Sequence, residues 1–372
     1  MTDQQPTVES SRESSRESGC ESGCEVSVTG GVDTHKDTHT AAALDGVGQV
    51  LGTRTFPTTQ AGYAALLAWL RGFGTVTAVG VEGTRSYGAG LSGYLATATI
   101  TVVEVNQPDR HTRRRKGKTD TQDAINAAQA VLSGRATATP KTGTGPAASI
   151  TALRTTLTSA TKSRTAALNQ LDSLIVTAPA ALRESLTGHT GQALITTCAR
   201  LRPSADLTCP TTATKTALRR LARRIQLLTT EIDETKTELH ALTTQVLPRT
   251  TALFGVGPDT AAQMLTTAGD NPERIGTDAS FAHLCGTAPI EASSGRSDRH
   301  RLNRGGDRHA NAATYRVVIV RMRHCPRTRA YIERRTAEGL PKRHIIRCLK
   351  RYVTREIYHA LIADMADLPN TA

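Results

Sequence analysis

Val26-Ser27-Val28-Thr29-Gly30-Gly31-Val32-Asp33 is the stretch from which the fold is read: a short β-type run that ends on a carboxylate. The next segments keep the same character. Residues 38–44 form a second strand, Asp45-Gly46 a turn, and residues 50–56 a third strand. Residues 58–70 read as a helix with Tyr63, Leu66, Leu67 and Leu70 on one face. Residues 75–81 make a fourth strand closing at Glu82, residues 87–96 a helix, and residues 99–105 a fifth strand.

Three strands, helix, strand, helix, strand, helix is a β-meander followed by βαβ units, the order of a RuvC/ribonuclease-H-like domain. Ligands gather at the carboxyl ends of strands in open α/β sheets, which is where Asp33 and Glu82 stand. Downstream, Arg113-Arg114-Arg115-Lys116-Gly117-Lys118-Thr119 is a cationic run that stops at Asp120 and Asp123. If Asp120 opens a helix, those two acids share a face of its first turn. The macrodipole alone would favour acids there. Joined by Asp33 and Glu82, however, they form a cluster whose mutual repulsion needs cations. Two Mg²⁺ ions roughly 4 Å apart would meet that need and clamp a phosphodiester. Asp37 and Asp45 read as solvated turn residues.

With 372 residues there is room for two or three domains. The net charge of +13 and a pI near 9.8 point to nucleic acid or an anionic surface. Aromatic residues make up only 3 %, so cores must rely on Leu, Val, Ile and Ala. No apolar run approaches the roughly 18 residues of a membrane span, and the polar N-terminus has no secretion signal. Seven cysteines without a CxxC pair read as reduced thiols. Together these imply a cytoplasmic protein with no membrane partner.

Composition divides the chain into five parts. Residues 1–24 are a Ser/Arg/Glu/Gly near-repeat expected to be disordered. Residues 25–135 hold the RuvC-like metal-binding domain and 136–149 a Pro/Gly linker. Residues 150–248 carry apolar positions at alternating three- and four-residue steps, from Ile150 to Leu174 and from Leu218 to Val246. Such stripes imply coiled-coil helices, paired within the chain or between protomers. Residues 249–372 form a mainly helical domain. It opens on Phe254-Gly255-Val256-Gly257-Pro258, a helix-hairpin-helix-like turn whose glycines suit phosphate contact or simply a tight bend. Further on, Ser293-Ser294-Gly295 leads into Arg296, Arg299, Arg301, Arg304 and Arg308. Read from residues alone, this is a basic phosphate-binding loop or a serine nucleophile awaiting activation.

In order, these motifs resemble the DEDD-type insertion-sequence transposases, the serine-dependent recombinases of the insertion-sequence one-hundred-ten family. Gly31-Val32-Asp33-Thr34-His35-Lys36-Asp37 is similar to the first acidic motif, Val81-Glu82-Gly83-Thr84 to the second, and Lys118-Thr119-Asp120-Thr121-Gln122-Asp123-Ala124 to the closing pair. Leu284-Cys285-Gly286-Thr287-Ala288-Pro289 with Ser293-Ser294-Gly295 resembles the serine motif. The resemblance implies Asp33, Glu82, Asp120 and Asp123 as Mg²⁺ ligands and Ser294 as nucleophile in a transposase or site-specific DNA recombinase. It further implies donor and target DNA, a structured noncoding guide RNA, and a homo-oligomer, dimer or tetramer, with composite active sites. A RuvC-like junction nuclease and a non-catalytic transposase derivative are the alternatives.

Overall fold

Five strands make one mixed sheet: β1 (Ser27–Thr34), β2 (Thr38–Leu44), β3 (Val50–Pro57), β4 (Thr75–Glu82) and β5 (Val102–Val105), in the order β3-β2-β1-β4-β5. The β1–β2 and β2–β3 pairs are antiparallel, whereas β1–β4 and β4–β5 are parallel. The computed structural model describes residues 26–105, 119–143, 145–295 and 300–368, and the chain divides into two compact units between Thr139 and Pro140. This sheet belongs to the first unit, and its topology is consistent with the ribonuclease-H-like layout.

The pleat sorts side chains between two faces. On one face Val28, Val32, Ala41, Ala43, Val79 and Val81 cluster with helices α1 (Gln60–Arg71) and α2 (Ala89–Thr97) through Leu66, Leu70, Leu91 and Leu95. On the other face Ala42 and Leu44 meet Ala124 and Ala128 of α3 (Asp120–Leu132). Here α3 rides on glycine. A Cβ at Gly31 would stand 2.2 Å from the Ala124 carbonyl oxygen and 2.3 Å from the Ala128 nitrogen. At Gly80 of β4 it would meet the Ala127 carbonyl oxygen at 2.9 Å. Strand β5 begins three residues later than the apolar run suggests. Thr99 takes a left-handed φ of 59° and Ile100 N–H donates to the Leu95 carbonyl, so these residues close α2 first.

The second unit is helical apart from one hairpin. Two long helices dominate it, α4 (Gly145–Val176) and α7 (Pro210–Val246). The start of α4 packs with the end of α7 (Ile150 with Leu239 and Val246), and its end with the start (Leu171 with Leu218 and Ile225). The helices therefore run antiparallel within one chain. α4 begins inside the stretch expected as linker, because Pro146 is tolerated in a first helical turn. Short helices α5 (Ala180–Leu186) and α6 (Gly191–Ala199) fill the far end of the pair.

The remainder comprises α8 (Pro248–Thr251), α9 (Pro258–Ala268), α10 (Asp278–Leu284), a ribbon of β6 (Pro289–Glu291) and β7 (His300–Leu302), α11 (Arg308–His324), α12 (Pro326–Ala337) and α13 (Lys342–Ala366). Helix α13 is the spine, burying Ile345, Leu349, Val353, Ile357 and Leu361 among Leu265, Phe281 and Val317. No helix among the described residues is long and apolar enough to cross a membrane.

Near the end of α13, Asp364 is 2 % exposed and closes the start of α8. Its carboxylate accepts from Thr250 N–H at 2.8 Å, Thr250 Oγ1 at 2.7 Å and Arg249 N–H at 3.0 Å. Asp364→Ala strips the partner from three donors, two of them on fully buried Thr250. The expected cost is about 2–4 kcal/mol, measurable as a shift in denaturant midpoint.

Candidate metal centre

The glycine floor decides where the acids meet. With Gly31 facing α3, period-2 alternation turns Asp33 toward the same side, and Gly80 does likewise for Glu82. Strands β1 and β4 run parallel with Val32 opposite Val81, so Asp33 and Glu82 finish neighbouring strands. Thr34 Oγ1 donates to the Glu82 carbonyl at 2.8 Å, tying the two ends together.

Helix α3 brings the other two acids. Thr119 caps it by accepting from Gln122 N–H, leaving Asp120 and Asp123 in the first turn. Asp123 is 3 % and Asp33 8 % exposed, whereas Asp120 faces solvent. Between them stands His35. Its Nε2 lies 3.2 Å from Asp33 Oδ2 and 3.3 Å from Asp120 Oδ1. One ligand atom from each of Asp33, His35 and Asp120 falls within 4.8 Å of the others, the separation at which one cation could be shared. Glu82 and Asp123 lie outside that set, although Asp123 acts on Asp33 electrostatically.

Charge at this point is under tension. Burial holds the Asp33 carboxyl above its usual range; His35 pulls it down, while Asp120 and Asp123 push it further up. Hard oxygens, one of them destabilised as an anion by its neighbours, fit a divalent cation, which would relieve the repulsion. His35 offers such a cluster an imidazole nitrogen within reach of an ion shared by the two carboxylates. The acidic motifs alone give His35 no role. The available signal is its position two residues beyond Asp33 on the same strand exit. Asp37 is exposed as expected, and Asp45 accepts from Val47 and Gln49 N–H groups in its turn.

The serine motif is in the second unit. Ser294 is exposed in the connection between β6 and β7, with Arg301 on β7, Arg304 just beyond it and Arg308 opening α11, all exposed. The ribbon's base is closely packed. A Cβ at Gly306 would stand 2.2 Å from the Gly286 nitrogen, and Asn303 Nδ2 donates to the His283 carbonyl at 2.9 Å. Asp307 caps α11 through His309 N–H and accepts from Thr267 Oγ1 at 2.7 Å. Burial opposes its charge, yet these donors hold its carboxyl below the ordinary range. Neither strand of the ribbon follows from the sequence pattern. Arg113, Arg114, Arg115, Lys116, Lys118, Arg296 and Arg299 lie outside the described residues.

At the helix-hairpin-helix-like turn, Gly255 takes φ 79° and Gly257 precedes α9. The first turn of α9 already carries an acid, Asp259, whose Oδ1 is 3.2 Å from His240 Nε2. The left-handed φ is reason enough for glycine at 255, whereas Gly257 has φ −86° and open space where a Cβ would stand, so the turn itself does not require it.

Two family models match the chain. That of the DEDD transposases of IS110 elements covers residues 30–178, including all four acids, and that of the IS116/IS110/IS902 transposase family covers residues 249–333, including Ser294. No curated protein matches it. The two matched segments together span well over half of the sequence and carry both candidate sites, so the chain belongs to the IS110 family of DEDD transposases.

Proposed function

We propose that this transposase cuts and rejoins the DNA of an insertion element with a divalent metal, Mg²⁺, held by Asp33, Glu82, Asp120 and Asp123, and with Ser294 as nucleophile. The observation that carries the reading is the meeting of Asp33 and Asp120 across His35, on a sheet where glycines let α3 approach. When bound, the metal supplies positive charge to the phosphate oxygens of the transition state. The chain's own residues do the rest. The buried Asp33 and Asp123 fix the position of the cluster, and exposed arginines beside Ser294 hold the phosphate.

The Ser294 Oγ–P bond forms as the bond from phosphorus to a deoxyribose oxygen breaks, and the serine proton passes in net terms to the departing sugar hydroxyl. Covalent capture conserves the phosphodiester's energy, so joining needs no nucleotide cofactor. Composite sites in a homo-oligomer, with acids from one protomer and serine from another, follow from the family resemblance. So does a structured noncoding guide RNA. A +13 chain with few aromatic residues suits that arrangement, because base pairing reads sequence while protein holds backbone.

Ser294→Ala tests this reading against a water-using RuvC-like nuclease. Strand joining and the covalent protein–DNA adduct should fall by about a thousandfold or more. Duplex binding and melting temperature should stay at wild-type values, since the side chain is exposed. Full joining activity in the variant would rule the serine out.

A further inference from the structure

Aromatic side chains are scarce here, 3 % of the residues, and yet three of them meet at one cleft. Phe254 from the turn before α9, Tyr331 of α12 and Tyr352 of α13 line a space of about 700 Å³. Tyr331 and Tyr352 pack edge to face with centroids 5.6 Å apart, and the Arg334 guanidinium lies over the Tyr331 ring at 5.4 Å. Phe254 is 53 % and Tyr352 51 % exposed, so burial does not explain either ring. The core of the same unit uses Phe281 and Tyr358 in that capacity.

Tyr352 is also a wall of a second cavity, of about 810 Å³, between α13 and the β6–β7 ribbon. Arg301, Arg343, Arg347 and Arg351 line it. The first three are exposed and make no ion pair with a described residue. Arg351 gives one nitrogen to Asp278 at 2.7 Å and keeps a buried Nη1 that has no hydrogen-bond partner. Lys350 is buried against the same cavity and donates to Asn311 at 2.7 Å, which fixes the wall. Flat apolar faces on one side of a tyrosine, and on the other the guanidinium groups of Arg301, Arg343 and Arg347 with no described counter-charge beside the partly paired Arg351, match the two halves of a nucleotide. A base within a duplex presents only its edges and could not enter.

We propose that cleft and cavity together hold an unpaired nucleotide, its base against Phe254 and Tyr352 and its phosphate among Arg343, Arg347 and Arg351. This rests on the reading of the chain as a DNA-joining enzyme and names a further feature that it grips. The unpaired stretch comes from a DNA strand freed at the cut or from a loop of RNA, and the shared chemistry is base plus phosphate.

The test is binding of labelled oligo(dT), oligo(rU) and duplex DNA to the full chain, with metal-dependent cleavage of duplex measured alongside. Tyr352→Ala should weaken unpaired binding by about 5- to 100-fold, with duplex binding unchanged and Tyr352→Phe restoring the loss. Arg347→Gln should lower the slope of log affinity against log salt by about 0.7. Tighter binding of oligo(dT) assigns the site to a DNA strand, and tighter binding of oligo(rU) to RNA. Unpaired binding untouched by both Tyr352→Ala and Phe254→Ala, or duplex binding lost in equal measure, overturns the assignment even where cleavage is intact. A wild-type chain that cleaves nothing with any divalent metal would instead overturn the reading beneath it.

Discussion

Asp33→Asn should reduce metal-dependent DNA cleavage by about a hundredfold or more while leaving the protein folded. The carboxylate sits where β1 ends, 3.2 Å from His35, and its partner across the imidazole is Asp120. Asparagine keeps the shape and removes the charge on which a cation depends. The effect on stability has the opposite direction. Burial raises the Asp33 carboxyl, and neighbouring acids raise it further. A carboxyl raised in the folded state contributes stability below its unfolded pKa, and that contribution is lost as pH climbs through the folded value. Above that folded value the metal-free fold therefore bears an unfavourable charge that asparagine lacks. Melting curves without metal should show Asp33→Asn unfolding no lower than wild type, and addition of Mg²⁺ should raise the wild-type midpoint alone. A variant that melts well below wild type without metal would assign Asp33 a structural role.

Gly31→Ala should lower stability and metal binding together. A methyl group at Gly31 would stand 2.2 Å from the Ala124 carbonyl oxygen and 2.3 Å from the Ala128 nitrogen. Both obstacles are backbone, so no rotamer change relieves them. Helix α3 must lift away from β1, which carries Asp120 and Asp123 away from Asp33. Overpacking of this kind costs about 3 kcal/mol, on the order of 10 °C in melting temperature for a unit of this size. Thermal melts with and without Mg²⁺ measure both consequences. Wild-type stability in this variant would mean that α3 does not lie directly on the sheet.

Much of the first unit was legible in its sequence, for local reasons. Strands with both faces covered still alternate small and branched residues, and Thr119 followed by acids marks a helix start, so the placement of Asp33, Glu82, Asp120 and Asp123 on their elements could be read directly. The role of His35 could not. It depends on how far α3 slides along β1, which the Gly31 contact sets, and contacts of that kind leave no periodic signal. The β6–β7 ribbon has no comparable signature, because its three-residue strands begin at Pro289 and carry His300 and Arg301, with no apolar alternation. Asp364 looks like a solvated acid in a basic helix, and its partners Arg249 and Thr250 lie far away in sequence. The cleft at Tyr352 is assembled from residues 254, 331 and 352, which only tertiary packing brings together.

Titration with Mn²⁺, followed by its paramagnetic resonance signal in wild type, Asp33→Asn and Asp120→Asn, tests the acid cluster most directly. A metal site built as described binds Mn²⁺ in competition with Mg²⁺ and loses at least about tenfold in affinity with either substitution. Equal Mn²⁺ binding by all three proteins would contradict it.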